Sequence, residues 1–275
     1  MSQVTAALPE GAVRASYAGL SAFEIDPGHA RGTVLLVAGF TGSKEDFSPT
    51  LPLLADAGWR VVAIDQRGQH ESPGVEDPAA YTVDALAQDL LTVVAQIGGP
   101  VHLVGHSFGG LVSRAAVLAR PSAFLDLVLL GSGPAALGGR RADVVNAVRP
   151  ILEDGGVKAV ADAAAALAAA DTEREPQPPQ VQAFMRARHL ANHPVGLAEM
   201  GNSLLTEPDR VAELEQTGVR VLVAHGVGDD AWDPATQHEM AERLGAAYEV
   251  IPDAQHSPAA ENPQGTAEVL LAFWG

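Results

Sequence analysis

Residues 105–109 read Gly105-His106-Ser107-Phe108-Gly109, a G-x-S-x-G pentapeptide set between an apolar run at 101–104 and a helical run at 110–118. A serine hydroxyl is a poor nucleophile until it is lifted clear of its neighbours and set beside a base. A sharp strand-to-helix turn does the lifting. Glycines two residues either side leave room for that turn, because a Cβ there would collide with the strained backbone at Ser107. The chemistry indicated is attack by Ser107 Oγ on an electrophilic carbon, with a histidine taking the hydroxyl proton and returning it to the leaving group. Nine histidines are available for that role.

The elements that would position these groups can be read from the hydrophobic pattern. Apolar runs at 33–38, 60–64, 100–104, 125–130, 219–224 and 247–251 are continuous rather than alternating, as expected of parallel strands covered on both faces. Residues 13–19 and 21–26 read as an earlier antiparallel pair with a turn between them. Helical segments lie between the parallel candidates. The clearest covers 83–97, where Leu86, Leu90, Val93 and Ile97 recur at helical spacing behind Thr82 as N-cap. A last helix is expected from Asn262-Pro263 to Phe273-Trp274. This alternation predicts an α/β protein with a mostly parallel, doubly wound sheet.

The alternation stops between 134 and 208. That stretch has no strand pattern, carries an Ala-rich segment at 157–170 and is interrupted by the helix breaker Arg174-Glu175-Pro176-Gln177-Pro178-Pro179. It reads as a helical lid inserted into a core made of 1–133 and 209–275, over the sheet edge where open α/β proteins place their ligands. Phe184, Met185, Met200 and Leu204 are its candidates to face a substrate.

Composition narrows the function classes. At 275 residues with 47% hydrophobic and 19% charged residues, the chain has the make-up of a soluble globular protein. A net charge of −17 repels phosphate backbones and anionic lipid, so neither nucleic acid nor a membrane is expected as partner. The absence of cysteine rules out disulfides, thiolate metal sites and a cysteine nucleophile. Residues 1–16 lack a basic-then-apolar leader and no run approaches a bilayer span, which points to the cytoplasm. No metal is expected, because His238-Glu239 has no second histidine four residues after the first. Nor does 39–44 have the four-residue spacing between glycines that a phosphate loop needs.

In four stations along nearly its whole length the chain resembles the α/β-hydrolase superfamily with a serine nucleophile. These are Gly39-Phe40-Thr41-Gly42, Asp65-Gln66-Arg67-Gly68, the 105–109 pentapeptide, and the pair formed by 225–230 and 253–258. The resemblance implies the chain order nucleophile, acid, histidine, hence Ser107, Asp229 and His256 as the catalytic set. Counting three positions from Gly226 selects Asp229 over Asp230, with Asp233 next in line. It also implies backbone N–H groups of Phe40 and Phe108 as oxyanion donors. Two departures stand out: Ala38 replaces a histidine common in the family, and His70 stands where a second glycine is frequent. An aspartate nucleophile is excluded by the serine. Trp232, with Phe40 and Phe108, is a candidate pocket aromatic. The remaining histidines, His29, His70, His102, His189, His193 and His238, read as surface or structural. So do His225, at the end of a buried strand, and His106, whose ring should point away from Oγ.

The function expected is cofactor-independent serine hydrolysis of a carboxylic ester, lactone or thioester of a small to medium apolar molecule. The same three residues could serve perhydrolysis of the haloperoxidase kind or C–C bond hydrolysis. A ligand-binding protein without turnover is the reading from outside catalysis.

Overall fold

The computed structural model describes residues 4, 7–170 and 177–275. The strands are β1 (Val13–Tyr17), β2 (Leu20–Ile25), β3 (Thr33–Val37), β4 (Arg60–Ile64), β5 (Val101–His106), β6 (Phe124–Leu130), β7 (Arg220–Gly226) and β8 (Ala247–Ile251). They form one eight-stranded sheet in the order β1-β2-β4-β3-β5-β6-β7-β8. β1 and β2 pair antiparallel, as do β2 and β4, and every later pairing is parallel. The β1–β2 hairpin turns through Ala18 and Gly19, both at positive φ, the two-residue geometry that suits strand twist.

Alternate residues of one strand go to opposite faces. Leu35 and Val37 join one apolar cluster, Val34 and Leu36 the other, and all four are fully buried. This is why the strands read as unbroken apolar runs. Two strands run two residues past their expected ends: β5 continues through Gly105 and His106, and β7 through His225 and Gly226. The polar histidines do not end these strands because each ring finds a partner, His106 on the carbonyl of His256 and His225 on the Tyr248 hydroxyl.

The helices are α1 (Leu51–Asp56), α2 (Val83–Ile97), α3 (Phe108–Ala119), α4 (Gly139–Ala170), α5 (Pro179–Leu190), α6 (Pro194–Thr206), α7 (Val211–Gln216), α8 (Pro234–Leu244), α9 (Pro258–Glu261) and α10 (Pro263–Trp274). Thr82 caps α2 through the Ala85 N–H, and Gly98 ends it in the left-handed region. Asn262 caps α10 through the Gly265 N–H. Side chains from α2, α3, α7 and α8 fill one face of the sheet, and those of α1 and α10 fill the other.

Residues 139–170, 179–190 and 194–206 form α4, α5 and α6, with α4 broken at Gly156 (φ 67°). Part of the predicted breaker, 174–176, lies outside the described residues; Gln177 and Pro178 lead directly into α5. The stem of this segment is clamped by Arg114 of α3. Its guanidinium pairs with Glu207 at 2.8 Å and donates to the carbonyls of Pro134 and Pro208. Its body rests on loops leaving the C-terminal edge of the sheet: Arg188 pairs with Asp46, His193 stacks on Tyr81, and Gly201 faces Phe40. Among the described residues no helix is long and apolar enough to cross a membrane.

Candidate active site

Strand register sets the site. Val37 lies opposite Ile64 and Gly105, His106 opposite Leu130, and Gly226 opposite Ile251, so the parallel strands end level. The loops after β3, β5, β7 and β8 therefore leave from one edge. They carry Phe40, Ser107, Asp229 and His256.

Ser107 sits at φ 54°, ψ −121°, immediately before α3. An L-residue there is strained, and the packing around it leaves the chain no alternative. A Cβ on Gly105 would lie 2.5 Å from the Gly109 carbonyl oxygen, and one on Gly109 2.6 Å from that of Ala38. His256 Nε2 stands 3.0 Å from Ser107 Oγ, and its Nδ1 2.9 Å from Asp229 Oδ1. Asp229 is buried and accepts two further donors, the Ala231 N–H at 3.0 Å and Gln237 Nε2 at 3.1 Å. Burial alone would raise its carboxyl pKa. The hydrogen bond and charge of His256, with those two donors, outweigh burial and hold it below the usual carboxylate value.

The two neighbouring carboxylates are committed elsewhere. Asp230 is exposed and bound by Arg141 at 2.6 and 3.1 Å. Asp233 caps α8 through the Thr236 N–H and hydroxyl. Among the described residues the N–H groups of Phe40 and Phe108 have no acceptor. Both belong to backbone that adjoins Ser107, one through Gly39 and the other at the first position of α3, where helix N–H groups are unpaired.

The apolar candidates separate into two groups. Met200, Leu204, Phe108 and Trp232 belong to one cluster with Val145, and Phe40 packs against it. Phe184 and Met185 are not in that cluster; they pack with Val4 and Ala260, and Phe184 meets the His70 ring edge-on at 5.6 Å. Phe184 of α5 thus faces His70 of the loop after β4, while α6 brings Gly201 against Phe40. One group, Glu45, His70 and Glu71, has ligand atoms close enough to share a cation. The ammonium of buried Lys44 already lies 2.8 Å from Glu71 and 3.2 Å from Glu45.

Two residues of the site escape sequence reading, and a third, His106, is legible as structural but not by its partner. Gln237, fully buried, steadies Asp229 from α8; its spacing with Met240 and Ala241 on the buried face of that helix marks a polar group in an apolar stripe. Gly131 adopts φ 57°, and a Cβ there would come within 3.0 Å of Asp229 Oδ2. His106 turns its Nε2 to the backbone carbonyl of His256 at 2.7 Å, tying the loop that carries His256 to β5.

The profile of the alpha/beta hydrolase fold family matches residues 32–263, and the chain belongs to that family. A Caulobacter segnis protein provisionally named carbamate hydrolase RutD is 28% identical over 257 residues, covering 90% of this chain and 92% of that one. A Variovorax paradoxus protein of the same provisional name is 40% identical over 100 residues, spanning 36% of this chain and 37% of its own. Among solved structures, a carboxylesterase of the thaumarchaeon Nitrososphaera gargenis superposes with TM-score 0.78 at 22% identity, over 96% of this chain and 97% of the other. That likeness is one of fold.

Proposed function

We propose that this hydrolase cleaves a carboxylic ester, lactone or thioester of a small to medium apolar substrate through an acyl-enzyme on Ser107. The observation that carries the reading is the unbroken chain Ser107 Oγ, His256 Nε2, His256 Nδ1, Asp229 Oδ1, with contacts of 3.0 and 2.9 Å, built on a serine in strained backbone. His256 takes the Oγ proton as Oγ bonds to the carbonyl carbon. Asp229 holds the Nδ1–H tautomer and stabilises the imidazolium, while the Phe40 and Phe108 N–H groups receive the oxyanion. Collapse breaks the bond to the leaving oxygen or sulfur, which departs with the proton from Nε2. Water then attacks the acyl group, gives its proton to Nε2, and Oγ leaves with that proton, releasing the acid. None of these steps calls for a metal or cofactor.

Residues 134–208 act in this reading as the lid, with Met200, Leu204 and Val145 forming the acyl-side wall beside Phe40. The RutD likeness over nine tenths of the chain favours one second reading, a carbamate as substrate. The same attack then expels the alcohol with the proton from Nε2 and leaves a carbamoyl-enzyme, which water cleaves to the carbamic acid.

Incubation with a fluorophosphonate probe tests the reading, followed by rates on aryl esters and carbamates of increasing acyl length. Labelling confined to Ser107 and turnover of short and medium acyl esters are expected. An unlabelled Ser107 overturns it.

A further inference from the structure

The peptide that carries the Phe40 N–H is held from behind. Residues 39–42 form a turn closed by the Gly42 N–H on the Gly39 carbonyl at 3.0 Å, with Thr41 at φ 57° in its third position. The same carbonyl accepts a second bond, from Nε2 of Gln69, at 2.9 Å. In a trans peptide the C=O and the next N–H point in opposite directions. Two donors on the Gly39 oxygen therefore fix the Phe40 N–H on the far side of the peptide, and they polarise the amide so that this N–H is a stronger donor. The backbone concerned adjoins the nucleophile: a Cβ on Gly39 would lie 3.0 Å from the Ser107 Cβ.

Gln69 has little else to do. Its side chain is 1% exposed, and its Oε1 has no hydrogen-bond partner. A buried acceptor without a donor is costly, so burial of this amide is accounted for by its NH2 group. Gln66, three residues earlier, offers a built-in contrast: its Nε2 donates at 2.8 Å to the carbonyl of Ala38. The peptide it engages carries the N–H of Gly39 rather than that of Phe40.

We infer that Gln69 is a positioning residue for oxyanion stabilisation, acting through the Gly39–Phe40 peptide. The inference rests on the serine-hydrolase reading above.

The test compares Gln69→Met with Gln66→Met, each losing one amide donor at nearly constant length. Kinetics on an activated ester are combined with the affinity of an aryl boronic acid, which forms a tetrahedral adduct on a reactive serine. Gln69→Met should lower kcat about tenfold and weaken the boronate by a similar factor with KM little changed, a fraction of the loss seen when an oxyanion donor itself is removed. Gln66→Met should leave kcat and boronate affinity within about twofold, as expected of a bond to a peptide that does not face the reacting atoms. Equal effects in the two variants, or an unchanged kcat in Gln69→Met, overturn the inference. If Gln69→Met does not fold, Gln69→Leu, which removes the donor with a smaller side chain, must show the same loss of kcat. Failure of the wild type to label at Ser107 would overturn the hydrolase reading instead, so the two failures are distinguishable.

Discussion

Each end of β5 lies beside a histidine–aspartate pair with Nδ1 2.9 Å from a carboxylate oxygen. At the start of the strand the pair is His102 with Asp126, and just past its end it is His256 with Asp229. The aspartates are both buried, and what differs is the surroundings of the pair. His256 Nε2 meets Ser107 Oγ at 3.0 Å. The ring of His102 is packed instead between Trp59 and Trp274, at centroid distances of 4.8 and 5.3 Å. Asp126 is shared by three donors, His102, Arg220 Nη2 and Trp274 Nε1, and so joins β5, β6, β7 and α10 at the N-terminal edge of the sheet. A His–Asp pair is thus a structural staple when the ring is packed between aromatics and the carboxylate is shared among donors of the fold. It becomes a candidate base when one imidazole nitrogen faces a hydroxyl held in strained backbone.

The comparison is broken most severely at the Ser107 end. Ser107→Ala and His256→Ala should each lower kcat/KM by about 10⁴- to 10⁶-fold with little change in melting temperature, because the set works as a unit. A tenth of wild-type activity in either would remove the distinction between the two pairs. Next comes the choice of carboxylate. Asp229→Asn should cost about 10⁴-fold by leaving His256 in the wrong tautomer. Asp230→Asn, which only loosens an exposed pair with Arg141, should stay within about threefold. Rates for both variants on one ester decide it.

At the other end the expected loss is in stability rather than rate. Asp126→Ala strands three donors and should cost about 3 kcal/mol in urea denaturation with kcat/KM unchanged. A drop in activity without loss of stability would contradict the staple. The smallest effect concerns His106. Burial, aided by repulsion from His256, lowers its pKa from 6.5 to about 4. The fold thus favours the neutral ring: the associated stability is whole above pH 6.5 and is lost as pH falls from 6.5 toward 4. Between pH 7 and 4.5 the wild type should lose about 2 kcal/mol more than His106→Gln. Equal pH slopes would show that the imidazole is not held neutral.

Much of this molecule was legible before its shape was known. The sheet could be read because strands buried on both faces need unbroken apolar runs, and the strained serine because its turn tolerates only glycine at 105 and 109. Both are local constraints, written in adjacent residues. The candidate acid was selected among Asp229, Asp230 and Asp233 only by resemblance. The structure separates them through partners 3 to 89 residues away in sequence, Thr236, Gln237, His256 and Arg141. Placement of Phe184 and Met185 apart from Met200 and Leu204 was likewise invisible, since it depends on packing against Val4 and Ala260, residues far away in the chain.

Residue types and their local order determined the fold class, the strained serine and the chain order of the reactive groups. Tertiary structure alone decided which histidine reaches Ser107, which aspartate reaches that histidine, and which amide steadies the Gly39–Phe40 peptide. The physical reason is that hydrogen bonds act over about 3 Å, and only strand register and loop packing bring residues so far apart in the chain within that distance.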